Sequence, residues 1–350
     1  MLEGLRSWDG ESVTTRFDAP TGTWMFVGVH STVLGPGFGG ARMKAYPSPQ
    51  DALHDVLRLS AAMTAKNSVA SLPFGGGKAV LAVARVPGPG SPERRELMLR
   101  YGSFVESLHG TYVTAADMNT GPADLDVVAE RTSHVMGTSP GHGGAGDSGP
   151  ATAVGVFHAI RAACGHAFGS RELEGRSVAI QGVGSVGSRL AELLSEAGAR
   201  LTLADVDGGR AQRLADRLGA ACVDAEAVMA VPCDVLAPCA TGGTLNPDTI
   251  PRLACRVVGG AANNQLAAPE DAERLAARGI LYAPDYIANA GGVIHLAGYE
   301  TLGWDEAQMA ARLAGIGETL ADVFAAAERD GITTAEAADR LALARIAAAR

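Results

Sequence analysis

The sequence predicts an α/β fold in two domains, the second built on a parallel sheet. Three observations predict it. Beyond residue 150, short apolar segments at 177–181, 200–204, 233–236, 256–259 and 280–283 alternate with helical stretches, the rhythm of βαβ units. Before it, residues 1–136 mix strand and helix patterns. Between them lies Gly137-Thr-Ser-Pro-Gly-His-Gly-Gly-Ala-Gly-Asp-Ser-Gly-Pro150, where six of fourteen residues are glycine. That break is read as a hinge over 137–150, dividing a first domain (1–136) from a second (151–332). A C-terminal helix of about 333–350 would be able to pack back on the first.

The elements follow in order. Thr23–Val33 is rich in aromatic and β-branched residues and reads as a strand, and Gly35–Gly40 as a turn. Ser48-Pro49 has the form of an N-cap with proline at the first helical position. Leu53, Val56, Leu57 and Met63 then recur at helical spacing and carry that helix to Lys66. Ser91-Pro92 opens a second helix, with Leu97, Tyr101, Phe104, Val105 and Leu108 on one face and Gly110 as its stop. Thr111–Asp117 reads as a strand delivering Asp117 to its end. Near the C-terminus a helix over 304–329 stops at Gly331, and Thr333 with Glu336 forms a capping box for the last one.

The net charge of −9 argues against a general nucleic-acid or anionic-membrane binder. No run is apolar enough to span a bilayer, and the N-terminus lacks the basic-then-apolar pattern of a signal peptide. The five cysteines show neither CxxC nor Cys/His ligand spacing. A reduced, cytoplasmic setting without structural zinc is expected.

Residues 177–187, Ser-Val-Ala-Ile-Gln-Gly-Val-Gly-Ser-Val-Gly, carry the clearest mechanism. A lone GxGxxG is weak. Here it follows an apolar strand, opens a helix, and precedes a second strand ending at Asp205, which could accept hydrogen bonds from an adenosine ribose. Gly182 permits the turn, Gly184 lets the backbone approach a pyrophosphate, and Gly187 allows close helix–strand packing. Val183, Ser185 and Val186 complete the loop. The helix N-terminus offers its unpaired N–H groups to the anion. A nicotinamide or flavin nucleotide is expected here, and Asp205 favours NAD over NADP, with Arg210 nearby in sequence. Cys239, Ala240, Ala261 and Asn263 follow later strands, where small side chains and an amide suit a nicotinamide nucleotide.

Only three of the 29 basic residues are lysines: Lys44, Lys66 and Lys78. An ammonium can become a base near neutral pH when burial or a like charge lowers its pKa, and a guanidinium cannot. Gly75-Gly-Gly-Lys78 fails as a Walker A loop, since Leu72 and Ala79 occupy positions that need Gly and Ser/Thr. The glycines are read instead as letting the backbone bring Lys78 against a small substrate. Lys66 and Lys78 would depress one another's pKa, and Asp117 could move a proton.

Together these pieces resemble the glutamate/leucine/phenylalanine/valine dehydrogenase family. The matching segments are Gly35-Pro-Gly-Phe-Gly-Gly-Ala-Arg42, Met63-Thr-Ala-Lys66-Asn, Leu72-Pro-Phe-Gly-Gly-Gly-Lys78, Thr114-Ala-Ala-Asp117, Thr152-Ala-Val-Gly, the 182–187 loop, Pro238-Cys-Ala, Gly260-Ala-Ala-Asn-Asn and Tyr282–Gly292. The resemblance implies an N-terminal α/β substrate and oligomerisation domain, a Rossmann NAD domain, and a cleft between them. It implies that Lys66 binds the substrate α-carboxylate, Lys78 activates water, and Asp117 exchanges a proton with the amine. Thr152, Asn263 and Asn289 would place nicotinamide and substrate, beside Gly39 and Gly40. The reaction implied is NAD-dependent oxidative deamination of an L-amino acid to a 2-oxo acid and ammonium, in a homo-oligomer.

Glutamate-specific members carry a lysine where this chain has Phe38. With Ala115, Val293 and Leu296 at side-chain-pocket positions, an apolar substrate is expected. The region 288–298 most resembles phenylalanine-type members, and branched-chain dehydrogenation is the alternative. His295 is expected to pack near the pocket rather than to catalyse. Two readings of other classes are a non-catalytic NAD-binding regulator, which would have lost Lys66, Lys78 or Asp117, and a lyase using Lys78 as a Schiff-base amine.

Overall fold

The computed structural model describes residues 2–349, and side chains from residue 5 onward. It divides into two compact units: 1–148 with 295–304 and 342–350, and 149–294 with 305–341.

In the first unit α1 (Leu2–Trp8) leads into β1 (Ser12–Asp18), β2 (Thr23–Ser31) and β3 (Gly37–Lys44). Then come α2 (Pro49–Val69), β4 (Gly75–Ala82), α3 (Pro92–Glu106), β5 (Tyr112–Ala116) and α4 (Pro122–Ala129). The strands form one sheet in the order β1-β2-β4-β3-β5, in which β3 runs parallel to both β4 and β5. Period-2 alternation sorts its side chains. Met25, Val27, Ala41, Met43, Ala79 and Leu81 pack on Leu97, Tyr101 and Phe104 of α3. Phe26 and Val80 pack on Leu53, Val56 and Leu57 of α2. Arg42 and Lys78 therefore stand on the α2 side.

Helix α2 starts where Ser48 accepts the Asp51 N–H, with Pro49 in the first turn, as the sequence leads one to expect. The run read as a turn differs from expectation, since Gly37–Gly40 belong to β3; Gly75–Gly77 belong to β4. A Cβ on Gly76 would lie 1.9 Å from Thr64 Oγ1 of α2, and one on Gly39 would lie 2.0 Å from the Gly77 carbonyl. Glycine here marks backbone and helix crossing too closely for any side chain.

Residues 137–146 also differ from the expected hinge. The Glu300 carboxylate accepts the backbone N–H of Gly137 and of Ala145, and His295 Nε2 lies 3.1 Å from the Ala145 carbonyl. These bonds fasten the stretch within the first unit, so the unit division falls at Ser148/Gly149 instead of covering 137–150.

The second unit begins with α5 (Gly149–Phe168), β6 (Ser177–Gln181), α6 (Ser185–Glu196), β7 (Arg200–Ala204), α7 (Gly208–Leu218) and β8 (Ala221–Cys222). It continues with β9 (Val235–Pro238), β10 (Val257–Val258), α8 (Glu270–Ala277), β11 (Leu281–Tyr282) and α9 (Asp285–Ala288). The six strands are all parallel, in the order β11-β10-β9-β6-β7-β8. Val178, Ala179 and Ile180 are buried in succession, as a strand covered on both faces requires. Sheet order reverses between β6 and β9, the position where open α/β sheets bind ligands.

Helix α10 (Gly291–Glu300) contributes to both units, as does the last helix. Helix α11 (Glu306–Asp330) opens on a capping box of Asp305 and Gln308 and stops at left-handed Gly331. Helix α12 (Thr334–Ala348) starts where Thr333 accepts the Glu336 N–H. Its end belongs to the first unit, with Ser68 Oγ donating to the Ala342 carbonyl at 2.8 Å. Among the described residues no helix is long and apolar enough to cross a membrane.

Candidate active site

On the α2 side of the first sheet, Lys78 and Asp117 meet. The Lys78 Nζ lies 3.2 Å from Asp117 Oδ1, and the ammonium's side chain is only 7% exposed. Strand β4 delivers the lysine, and the turn after β5 delivers the aspartate. A Cβ on Gly40 would stand 2.2 Å from the Ala116 carbonyl oxygen and 2.9 Å from the Asp117 Cβ, so that glycine makes room for the backbone that carries Asp117. The Asp117 N–H is taken by Thr120 Oγ1 at 2.9 Å, which fixes the turn.

Burial pushes the Lys78 pKa below its ordinary value of 10.5; the Asp117 charge opposes that shift and the Arg42 guanidinium adds to it. Arg42 is a like charge beside Lys78 that the sequence did not single out. Burial acting alone would raise the Asp117 pKa, but the charges of Lys78 and Arg42 outweigh it and hold the carboxyl well below the carboxylate range. Lys66 sits half-buried in the last turn of α2. Lys44 is exposed, its ammonium 5.0 Å from the Tyr46 ring centroid.

One expected substrate contact is placed differently. Phe38 has no exposed surface, its ring packing on Phe74 at 5.1 Å, so it is a core residue between sheet and helix instead of a pocket wall. Gly39 owes its identity to the Gly77 carbonyl already described. Ala115 and Leu296 are buried in the first unit, Leu296 beside Gly137, while Val293 is half-buried and counted with the second.

In the second unit the glycine loop follows β6 at the reversal point. Gly182 has φ +94°, a conformation L side chains avoid, and a Cβ on Gly187 would lie 2.0 Å from the Gly182 carbonyl. Nothing stands within 4 Å of a Cβ on Gly184, leaving that backbone open to a ligand. Val186 follows Ser185 in the first turn of α6, where peptide N–H groups have no intrahelical partner. Cys239 and Ala240 follow β9, with the Ala240 Cβ 2.8 Å from where a Gly182 Cβ would be. Burial raises the Cys239 thiol to about 12, which keeps it neutral.

Asp205, at the end of β7, accepts the Val183 N–H on Oδ2 at 2.8 Å; its Oδ1 accepts the Asp207 N–H and Arg210 Nη2. Burial would raise its pKa, but the Arg210 bond and those two N–H groups hold it low. Asn289 donates to the Ala261 carbonyl and to Asn263 Oδ1, and its own buried Oδ1 has no hydrogen-bond partner. An orphaned amide oxygen is costly unless a ligand donor meets it. Thr152, in the first turn of α5, is half-buried. The open Gly184 backbone, the anionic Asp205 and the orphaned Asn289 oxygen suit, respectively, the pyrophosphate, ribose and carboxamide of a nicotinamide dinucleotide. Among the described residues no group of three His, Cys, Asp or Glu could hold a metal ion.

A parallel sheet with a glycine loop at its reversal point, in a chain that also buries a lysine–aspartate pair, defines a pyridine-nucleotide oxidoreductase of the amino-acid dehydrogenase class. Residues 18–134 match the family described as Glu/Leu/Phe/Val dehydrogenase, dimerisation domain, and residues 143–213 and 210–350 match Glutamate/Leucine/Phenylalanine/Valine dehydrogenase. The chain belongs to the glutamate/leucine/phenylalanine/valine dehydrogenase family. It is 42% identical to a leucine dehydrogenase of Geobacillus stearothermophilus, covering 99% of this chain and 93% of that protein. It is 45% identical to a valine dehydrogenase of Streptomyces coelicolor, covering 97% and 93%. The L-tryptophan dehydrogenase structure from Nostoc punctiforme superposes with a TM-score of 0.83 at 36% identity, covering 100% and 99%. The expectation of phenylalanine therefore gives way: the branched-chain alternative agrees better with these relatives.

Proposed function

We propose that this chain catalyses NAD-dependent oxidative deamination of a branched-chain L-amino acid, valine or leucine, to the 2-oxo acid and ammonium. The observation that carries the chemistry is the buried Lys78–Asp117 pair. The relatives named leucine and valine dehydrogenase support the substrate class.

Lys66 holds the substrate α-carboxylate. The α-ammonium must shed a proton before its carbon can be oxidised, and Asp117 accepts it. Two flanking cations make Asp117 a weak base, so proton uptake is coupled to loss of charge at Lys78, and the pair titrates as a unit. The bound nicotinamide, held by the 182–187 loop, Asp205 and Asn289, supplies the hydride acceptor. The neutral Lys78 amine then takes a proton from the water that attacks the iminium carbon. Asp117 returns its proton to nitrogen, and the C–N bond breaks as the new hydroxyl becomes the oxo group. Lys78 and that hydroxyl each release a proton; ammonia takes one of them.

Measuring reduced nicotinamide formation across L-amino acids tests this reading. Valine or leucine is expected to show the highest kcat/KM, and equal or higher kcat/KM with phenylalanine would refute the branched-chain assignment. One methylene changes selectivity by about 1–3 kcal/mol, enough to rank the panel. Asp205→Ser removes the ribose acceptor and leaves Arg210 to meet a 2′-phosphate. The NADH dissociation constant should rise about ten-fold and NADP binding should improve. An unchanged NADH/NADPH affinity ratio in a fluorescence titration would count against the ribose contact. Because residues 18–134 match the family's dimerisation domain, self-association is also proposed, and light scattering reads it.

A further inference from the structure

We infer that Arg42 is a positioning residue for this site: bridging Asp117 and Asp55, it holds one oxygen of Asp117 so that the other is reserved for Lys78. The inference deepens the dehydrogenase reading and rests on it. The Arg42 Nε lies 2.8 Å from Asp117 Oδ2 and its Nη1 lies 3.0 Å from Asp55 Oδ2, with the guanidinium side chain 12% exposed. Asp55, on α2, is fixed in turn by the Tyr46 hydroxyl at 2.7 Å and by Arg58 Nη2 at 2.7 Å. The two carboxylates are thus braced against each other through one planar fork, a geometry lysine cannot copy.

The arrangement has an electrical consequence. The charged groups acting on Lys78 are Asp117 beyond β5, Arg42 on β3 and Asp55 on α2; the packed elements also carry Arg58 and Lys66 on α2, Tyr46 just after β3, and His30 on β2. Of these, Arg42 favours the neutral amine, while Asp117 and Asp55 favour the ammonium. Substitutions of Arg42 and Asp55 should therefore displace the Lys78 titration in opposite directions. Those signs report the two charges beside Lys78; the positioning role is read from kcat, which Arg42→Lys should restore only in part because lysine supplies the charge without the fork.

The test exploits the scarcity of lysine. Lysine labelled with carbon-13 at Cε gives three side-chain signals, and the one missing from Lys78→Ala identifies Lys78. In Arg42→Gln that signal should titrate about one pH unit higher than in the wild type. In Asp55→Asn it should titrate lower, and Arg42→Lys should return it toward the wild-type position by restoring the charge. In the deamination assay Arg42→Gln should lower kcat about ten-fold while KM for the amino acid changes less than about three-fold, since Arg42 acts through Asp117. Arg42→Lys should recover only part of kcat, having lost the fork.

An unshifted Lys78 titration in Arg42→Gln, or shifts of the same sign in Arg42→Gln and Asp55→Asn, would overturn the proposal. If Arg42→Gln does not fold, Asp55→Asn decides alone: an unshifted or raised titration rejects it. Wild-type protein that titrates as described but shows no amino-acid-dependent nucleotide reduction would reject the dehydrogenase reading, and the catalytic role of Arg42 with it.

Discussion

Lys78→Ala is expected to lower kcat for oxidative deamination by at least about 10²-fold, the loss that follows removal of a positioned general base. Burial and Arg42 lower the pKa of this amine from its ordinary value, which favours the neutral form that a base requires. The remaining machinery predicts the shape of the defect. Nucleotide affinity, set by Asp205 and the 182–187 loop, should stay within about two-fold of wild type, because loop and lysine belong to different units. The loss should therefore appear in kcat. Turnover close to wild type would reject the role of Lys78, and a large loss of NADH affinity would point to misfolding.

Asp117→Asn should be at least as damaging, reducing kcat about 10²- to 10⁴-fold. The amide cannot take the substrate's proton, and it removes the anion that stabilises two buried cations. Lys78 would lose the charge that favours its ammonium form, so its titration moves further down. The working limb of deamination, which rises with pH as the amine becomes neutral, should consequently move to lower pH even as its height collapses. Arg42 would keep only Asp55, and breaking one arm of a buried ion pair costs about 3–5 kcal/mol at most. Thermal unfolding should register that cost as a lower Tm. A variant with wild-type kcat would remove Asp117 from the mechanism.

The nucleotide half was legible in sequence because its signal is local. Strand, glycine loop, helix and Asp205 lie within one short βαβ run, and β6 and β7 occupy the residues read for them. The helices announced themselves through caps at Ser48, Ser91 and Thr333; the capping box at Asp305 was not read and lies just inside the stretch read as helix. The glycine-rich strands did not. Gly37–Gly40 and Gly75–Gly77 lack the branched side chains that mark strands, and their reason is a neighbouring helix or strand that no local window contains. β1 was also missed, since its outward face carries polar residues, and β8 is only two residues long. The Arg42 fork was invisible for a related reason. Its partners Asp55 and Asp117 stand 13 and 75 positions away, joined only when β3, α2 and the turn after β5 meet. Lys78 itself could be found, because rarity of lysine singles it out, and so could Asp117, but the like charge of Arg42 could not.

The most direct test is the carbon-13 titration of the three lysines in the wild-type chain and in Lys78→Ala. One signal should titrate below 10.5 and be absent from the variant. If the signal lost in the variant titrates at the ordinary lysine value, Lys78 is no base near neutral pH and the account of this site is contradicted.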